Sequence, residues 1–174
     1  RYNMPAICHA IGDKALNQVL DLYKDLVLPG NPLHYGIVHC QIMTPEQIQK
    51  VLDQNLVCYF QSLFIDSDAK ILKQRVGEKR AASSYPFRTL YEGTLACNGS
   101  DAPVETPDPL KGIQLAVTRT SLDGRASMNP KECMSVEEAL TSYTEKGPEA
   151  FFSEHTGKLE TGYHADFAVL EKNI

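Results

Sequence analysis

His9, His39 and Asp101 are the residues of this chain whose types and settings best suit them for chemistry. Each closes a short apolar run and opens a polar turn: Met-Pro-Ala-Ile-Cys-His at 4–9, Tyr-Gly-Ile-Val-His at 35–39, and Leu-Ala-Cys-Asn-Gly-Ser-Asp at 95–101. Imidazole nitrogens and a carboxylate oxygen are ligands for a zinc-type ion, and the carboxylate can also carry a proton. Such groups act together only if the fold gathers them. The C-terminal ends of parallel strands do so, most fully in a closed barrel. Singly, each residue has a plainer reading. A strand-end His is often a hydrogen-bonded structural residue, and the Asp of Gly-Ser-Asp can be a turn or cap. His39 ranks above His9, because an unpaired imidazole in an otherwise apolar strand is costly.

The elements that must position these residues alternate. Residues 4–9 read as a strand, followed by a helix opening at Gly12-Asp13. Apolar residues at Ala15, Leu16, Val19, Leu20, Tyr23, Leu26 and Val27 keep one face of that helix inward, and Pro29-Gly30 stops it. A second strand fits 35–40. Thr44-Pro45-Glu46-Gln47 then has the form of a capping box with Pro at the first helical position, leading a helix through Ile48, Val51 and Leu52. Leu56–Phe60 and Leu95–Asn98 read as third and fourth strands, with helical or irregular chain over 66–93 between them. Asp108–Arg119 fits another helix. Ser135-Val136-Glu137-Glu138 is a second capping box, with Val136, Ala139, Leu140 and Tyr143 inward, and Gly162–Leu170 ends in an extended run. Near-continuous apolar strands alternating with helices predict an α/β fold with parallel strands.

Composition narrows the field. The 174 residues suffice for one domain with a core, but not for a closed eight-stranded barrel of about 250 residues. Hydrophobic residues make up 43% and charged residues 22%, with a net charge of −5, and no basic block interleaves with aromatics, which argues against a nucleic-acid surface. No apolar stretch approaches a membrane span. The five cysteines, Cys8, Cys40, Cys58, Cys97 and Cys133, form no Cys-x-x-Cys pair and read as reduced residues of a cytoplasmic protein. Both ends read as cut from a longer chain. No Gly-x-Ser-x-Gly elbow is present, which discounts a serine hydrolase.

His-Ala-Ile-Gly-Asp-Lys-Ala at 9–15, Val-His-Cys-Gln at 38–41 and Gly-Ser-Asp-Ala-Pro-Val at 99–104 resemble the later strands of the amidohydrolase superfamily. The closest branch is the amidohydrolase-3 group, similar to N-substituted formamide deformylases. Ser135–Leu140, Tyr143-Thr144, Gly157–Gly162 and Ala165-Asp166-Phe167 resemble its closing pattern. The resemblance implies the C-terminal part of a metal-dependent TIM barrel over 1–153, with the beginning of a small β-sandwich segment over 154–174. On that template His9 ends the fifth strand, His39 the sixth and Asp101 the eighth. His9 and His39 would be metal ligands, and Asp101 both ligand and proton-shuttling base. The cofactor would be a divalent metal, zinc foremost, as one or two ions. The family's first-strand His-x-His pair has no counterpart here, and Tyr163-His164 departs from the usual Gly-Lys in the sandwich segment.

The implied activity is hydrolysis of amide-like C–N bonds, other than peptide bonds, by metal-activated water. The implied partners are a small-molecule substrate and either a second copy or a missing N-terminal half. The competing reading is an inactive α/β module that binds a small molecule or partner chain. Among further residues, Gln61 ends the third strand facing the same side and is a candidate substrate contact. His34 reads as a loop residue, His155 and His164 as exposed tail residues, and Cys40 as core. The Pro- and Gly-rich stretch 102–112 is either a loop over the site or a passive connection.

Overall fold

Four short strands, β1 (Ile7–Ala10), β2 (Gly36–His39), β3 (Val57–Phe60) and β4 (Ala96–Asn98), form one sheet in chain order, every neighbouring pair parallel. The computed structural model describes residues 4–174. Parallel neighbours require crossovers, and helices supply them. α1 (Asp13–Tyr23) links β1 to β2, and α2 (Pro45–Asp53) links β2 to β3. The longer crossover to β4 holds α3 (Ile65–Asp68), α4 (Leu72–Ala81) and α5 (Phe87–Gly93). After β4 come α6 (Pro109–Thr118), α7 (Val136–Tyr143) and α8 (Lys146–Ala150). The expected α/β class and all four expected strands are present, each within a few residues of its predicted bounds.

Local chemistry explains several boundaries. Thr44 accepts from the Gln47 backbone N–H while the Gln47 side chain accepts from Thr44 N–H, so the first predicted capping box is closed. Ser135 and Glu138 close the second at the start of α7. Asp108 caps α6 through Lys111 N–H. Two expectations are corrected. α1 ends at Tyr23 rather than Val27: turns through Tyr23 O end it, and Leu26 is exposed. Apolar spacing ran on past the last helical turn because it cannot register that change in direction. Over Gly162–Leu170 no strand forms among the described residues, and Phe167 and Val169 are exposed. A strand needs a neighbouring backbone, and these residues have none to pair with.

The sheet separates two apolar layers. On one face Cys8, Ala10, Ile37, Cys58 and Phe60 meet Leu16, Leu20, Val51, Phe87 and Leu90 of the helices. On the other, Val38, Val57, Tyr59, Leu95 and Cys97 cluster with Ala150 of α8. Phe151 lies 5.3 Å from the Tyr59 ring on this side, and Phe152 stacks on His34 at 3.9 Å. At the far end of the sheet from the strand C-termini, the Tyr23 hydroxyl donates to Ala6 O at 2.7 Å and Gly36 O at 3.0 Å, tying α1 to β1 and β2. All five cysteines are free, as expected, and Cys40, Cys58 and Cys97 are buried. The adjacent Cys40 thiol and burial push the Cys58 thiol well above its ordinary value, so it stays protonated.

Candidate metal centre

The C-terminal ends of β1, β2 and β4 bring the three predicted residues to one edge of the sheet. His9 lies in β1 directly opposite Val38, so both side chains share the face away from the main helical layer. Alternation would send His39, paired with Ala10, to the opposite face. It does not go there. His39 has φ 85° and Cys40 φ 51°, both in the left-handed region. This double departure ends β2 and turns the imidazole across the strand end towards His9. A non-glycine residue held there stores about 1–3 kcal/mol, a cost found most often at functional positions. Cys40 is still core, as expected, through this turn rather than by simple alternation.

His39 Nε2 lies 2.8 Å from His9 Nδ1, and the rings meet edge to face with centroids 4.4 Å apart. Asp101 has φ 59° in the turn after β4, and its Oδ2 stands 4.0 Å from His39 Nε2, beyond hydrogen-bond range. His39 is 3% exposed and the Asp101 side chain 38%, so the group runs from a buried imidazole to an open carboxylate. Phe64 closes over His39, its ring centroid 6.0 Å away. Burial, and then the neighbouring His9, hold the His39 pKa below its ordinary value, while Asp101 and the Gln61 side chain pull the other way. His39 is therefore kept neutral, the form that binds a metal.

Neighbouring loops fix this edge. Ile42 N–H donates to Ile11 O and Tyr85 N–H to Gln41 O, joining the turns after β1 and β2 to the segment before α5. Asn98, at the end of β4, accepts from Ser62 N–H at 3.0 Å and donates to Ser62 Oγ at 2.8 Å, clamping the turn after β3. Sequence reasoning passed over Asn98 and Phe64. A polar residue closing an apolar strand was the available signal for Asn98; nothing local marked Phe64.

Gln61 is 5% exposed, and its Nε2 donates to Tyr59 O at 3.0 Å. His34 is a loop residue at φ 56° whose Nδ1 lies 3.0 Å from Ala150 O, remote from the site. His155 sits in the tail, edge to face with Tyr163, and His164 N–H donates to His155 O. Both are exposed, as expected.

These residues offer a donor set of a kind that divalent ions take. Two imidazole nitrogens face each other at 2.8 Å beside a carboxylate. The donor types suit zinc. Among the described residues, no three His, Cys, Asp or Glu side chains yet close into a coordination sphere, since Asp101 stands off from the pair.

Several known proteins are similar to this chain. The YtcJ protein of Bacillus subtilis (strain 168), whose name assigns it provisionally to the amidohydrolases, is 37% identical over 171 residues, 96% of this chain and 32% of that protein. Protein LONG AFTER FAR-RED 3 of Arabidopsis thaliana is 32% identical over 170 residues, 95% of this chain and 29% of its own length. The crystal structure of an uncharacterized metal-dependent hydrolase from Pyrococcus furiosus superposes with a TM-score of 0.82 at 32% identity. That from Pyrococcus horikoshii OT3 gives 0.85 at 28%. Each superposition covers 97% of this chain and 34% of the other, so the chain spans about a third of the relatives it matches. The amidohydrolase family model matches residues 1–174, and with parallel strands that deliver histidines and an aspartate to one edge, this chain belongs to the amidohydrolase family.

Proposed function

We propose that the chain supplies the later strands of a metal-dependent hydrolase that cleaves amide-like C–N bonds other than peptide bonds. The observation that carries this reading is the approach of His9 Nδ1 to His39 Nε2 beside the Asp101 carboxylate at the strand ends. Solved metal-dependent hydrolases of the same fold support it. A bound divalent ion, zinc foremost, supplies an acidified water and a Lewis acid for the scissile carbonyl. His39 and His9 hold that ion, His39 as the buried, neutral ligand and His9 as the exposed one. Asp101 completes the set, takes a proton on its carboxylate and returns it to the leaving nitrogen. Phe64 keeps water from the inner side of His39.

In this reading residues 1–153 are part of a TIM barrel and 154–174 a segment of a small β-sandwich. The outer edges of β1 and β4 have no strand partner among the described residues. They support association with a second copy or with a separate N-terminal half. Free cysteines support a cytoplasmic setting, and no helix among the described residues is long and apolar enough to cross a membrane.

The test is Asp101→Asn in a protein of the relatives' full length. Asn keeps the shape but cannot accept and return a proton, so kcat should fall by at least about 10²–10⁴-fold. Near-normal kcat with full metal content would make Asp101 a turn residue and support the inactive-module reading.

A further inference from the structure

We propose that Asn98 is a positioning residue: it locks the turn that carries Asp101 to the turn that lays Phe64 over His39. This deepens the reading of His39 and Asp101 as ligands and rests on it. Asn98 itself stands outside the reaction space. It pairs with Phe60 at the end of β4, and alternation puts its side chain with those of Ala96 and Phe60 on the face of the main helical layer, opposite to Cys97. A polar side chain on that side needs partners, and it finds both on Ser62, which is fully buried. β3 and β4 run as a parallel ladder up to Gly99 N–H on Phe60 O at 3.0 Å. One step further, such a ladder would send Ser62 N–H to Gly99 O. It goes instead to Asn98 Oδ1 at 3.0 Å, while Asn98 Nδ2 donates to Ser62 Oγ at 2.8 Å. The side chain takes over where the strand stops.

Ser62 opens the short 3₁₀ turn Ser62–Phe64, whose leading N–H groups have no partner within the turn. The preceding Gln61 offers no side-chain cap, so Asn98 caps the turn from the neighbouring strand. Phe64 closes that turn, and its ring meets His39 at 6.0 Å and 75°. On the other arm, the chain after Asn98 runs directly into Asp101. The Asp101 turn is held internally by Ala102 N–H on Ser100 Oγ and Val104 N–H on Asp101 O. Among the described residues, the one hydrogen bond from 99–104 to another element is that of Gly99 on Phe60 O. Asn98 and Gly99 therefore anchor the Asp101 turn, and Asn98 alone ties it to the Phe64 turn. Groups that hold ligands in place typically contribute about 10–100-fold in metal affinity.

The experiment uses the 174-residue chain, stripped of metal with a chelator and labelled with ¹³C and ¹⁵N. In the wild type, nuclear Overhauser contacts should join the Asn98 amide to Ser62 N–H and the Phe64 ring to the His39 ring. Asn98→Leu keeps the bulk and removes both bonds to Ser62. It should lose the Phe64–His39 contact and change the backbone dipolar couplings of residues 99–104. The contact between the Tyr23 and Tyr35 rings, at the far end of the sheet, should persist as the control. Asn98→Asp still accepts from Ser62 N–H and from its hydroxyl, and should restore the wild-type pattern. Asn98→Leu that lowers Tm but leaves both turns in place overturns the proposal, as does an Asn98→Asp variant as displaced as Asn98→Leu. So does a wild type without the Asn98–Ser62 contact, even if no variant folds. Zinc is then titrated into the same samples. Asn98→Leu should bind it roughly 10–100-fold more weakly than the wild type, and displaced turns with unchanged affinity would also overturn the proposal. Zinc that leaves His9 and His39 unmoved in the wild type sinks the metal reading separately, because the metal-free geometry is already known.

Discussion

His39 and Arg119 share four unusual properties, yet only His39 stands at the proposed site. Both are almost fully buried polar residues, 3% and 1% exposed. Both hold left-handed backbone, φ 85° and φ 53°. Each leaves one nitrogen without a partner, Nδ1 of His39 and Nη1 of Arg119. Burial lowers both pKa values, that of Arg119 to about 10. The surroundings differ. Arg119 donates from Nη2 to Tyr85 O at 3.0 Å and from Nε to Met128 O at 3.4 Å. Its guanidinium lies 6.0 Å and 5.6 Å from the centroids of the Tyr85 and Phe87 rings. It is spent inside the molecule, joining the end of α6 to the segment before α5. His39 faces an exposed His9 and a half-open Asp101 carboxylate. Burial, strain and an orphan nitrogen therefore do not distinguish chemistry from architecture. Convergence with accessible ligand groups at a strand end does.

That contrast can be broken by mutation. The largest effect on stability should come from Arg119→Ala, which opens a cavity, takes one of two donors from Tyr85 O and leaves Met128 O without its Arg119 donor. Such changes cost about 3–5 kcal/mol. At about 2–4 °C per kcal/mol for a chain of this size, Tm should fall by roughly 10 °C in a calorimetric scan. A drop of only a degree or two would mean that Arg119 is not the structural member of the pair.

A smaller effect separates strain from contact at His39. His39→Ala and His39→Gly remove the same imidazole, but only glycine adopts φ 85° freely. The glycine variant should be the more stable of the two by about 1 kcal/mol, measured by urea denaturation. Alanine proving equal or better would show that the left-handed turn is not imposed on an unwilling residue. His9→Ala, at an exposed position, should change stability by no more than about 0.5 kcal/mol.

Much of this fold was legible because its signals are local. Four apolar runs gave four strands, and Thr44 with Gln47 and Ser135 with Glu138 announced two helix starts through bonds that span three residues. The end of α1 was misread because Leu26 and Val27 continue an apolar spacing that the turn at Tyr23 abandons. The candidate site residues were legible as types at strand ends. Their geometry was not: alternation alone places His39 on the wrong face, and only the φ values at 39 and 40 reverse it. Gln61 was marked as facing the site, but its burial and its bond to Tyr59 O depend on how the β3 end turns into the next helix.

The central claim is that His9 and His39 jointly hold a divalent ion at the strand ends. A zinc titration of the ¹⁵N-histidine-labelled 174-residue chain tests it residue by residue, because His34, His155 and His164 serve as internal controls in the same spectrum. The account predicts that zinc moves the Nδ1 signal of His9 and the Nε2 signal of His39 together, leaves the other three histidines in place, and loses both responses in Asp101→Ala or His39→Ala. Zinc that leaves His9 and His39 unmoved, or that binds first at the tail histidines, would contradict it.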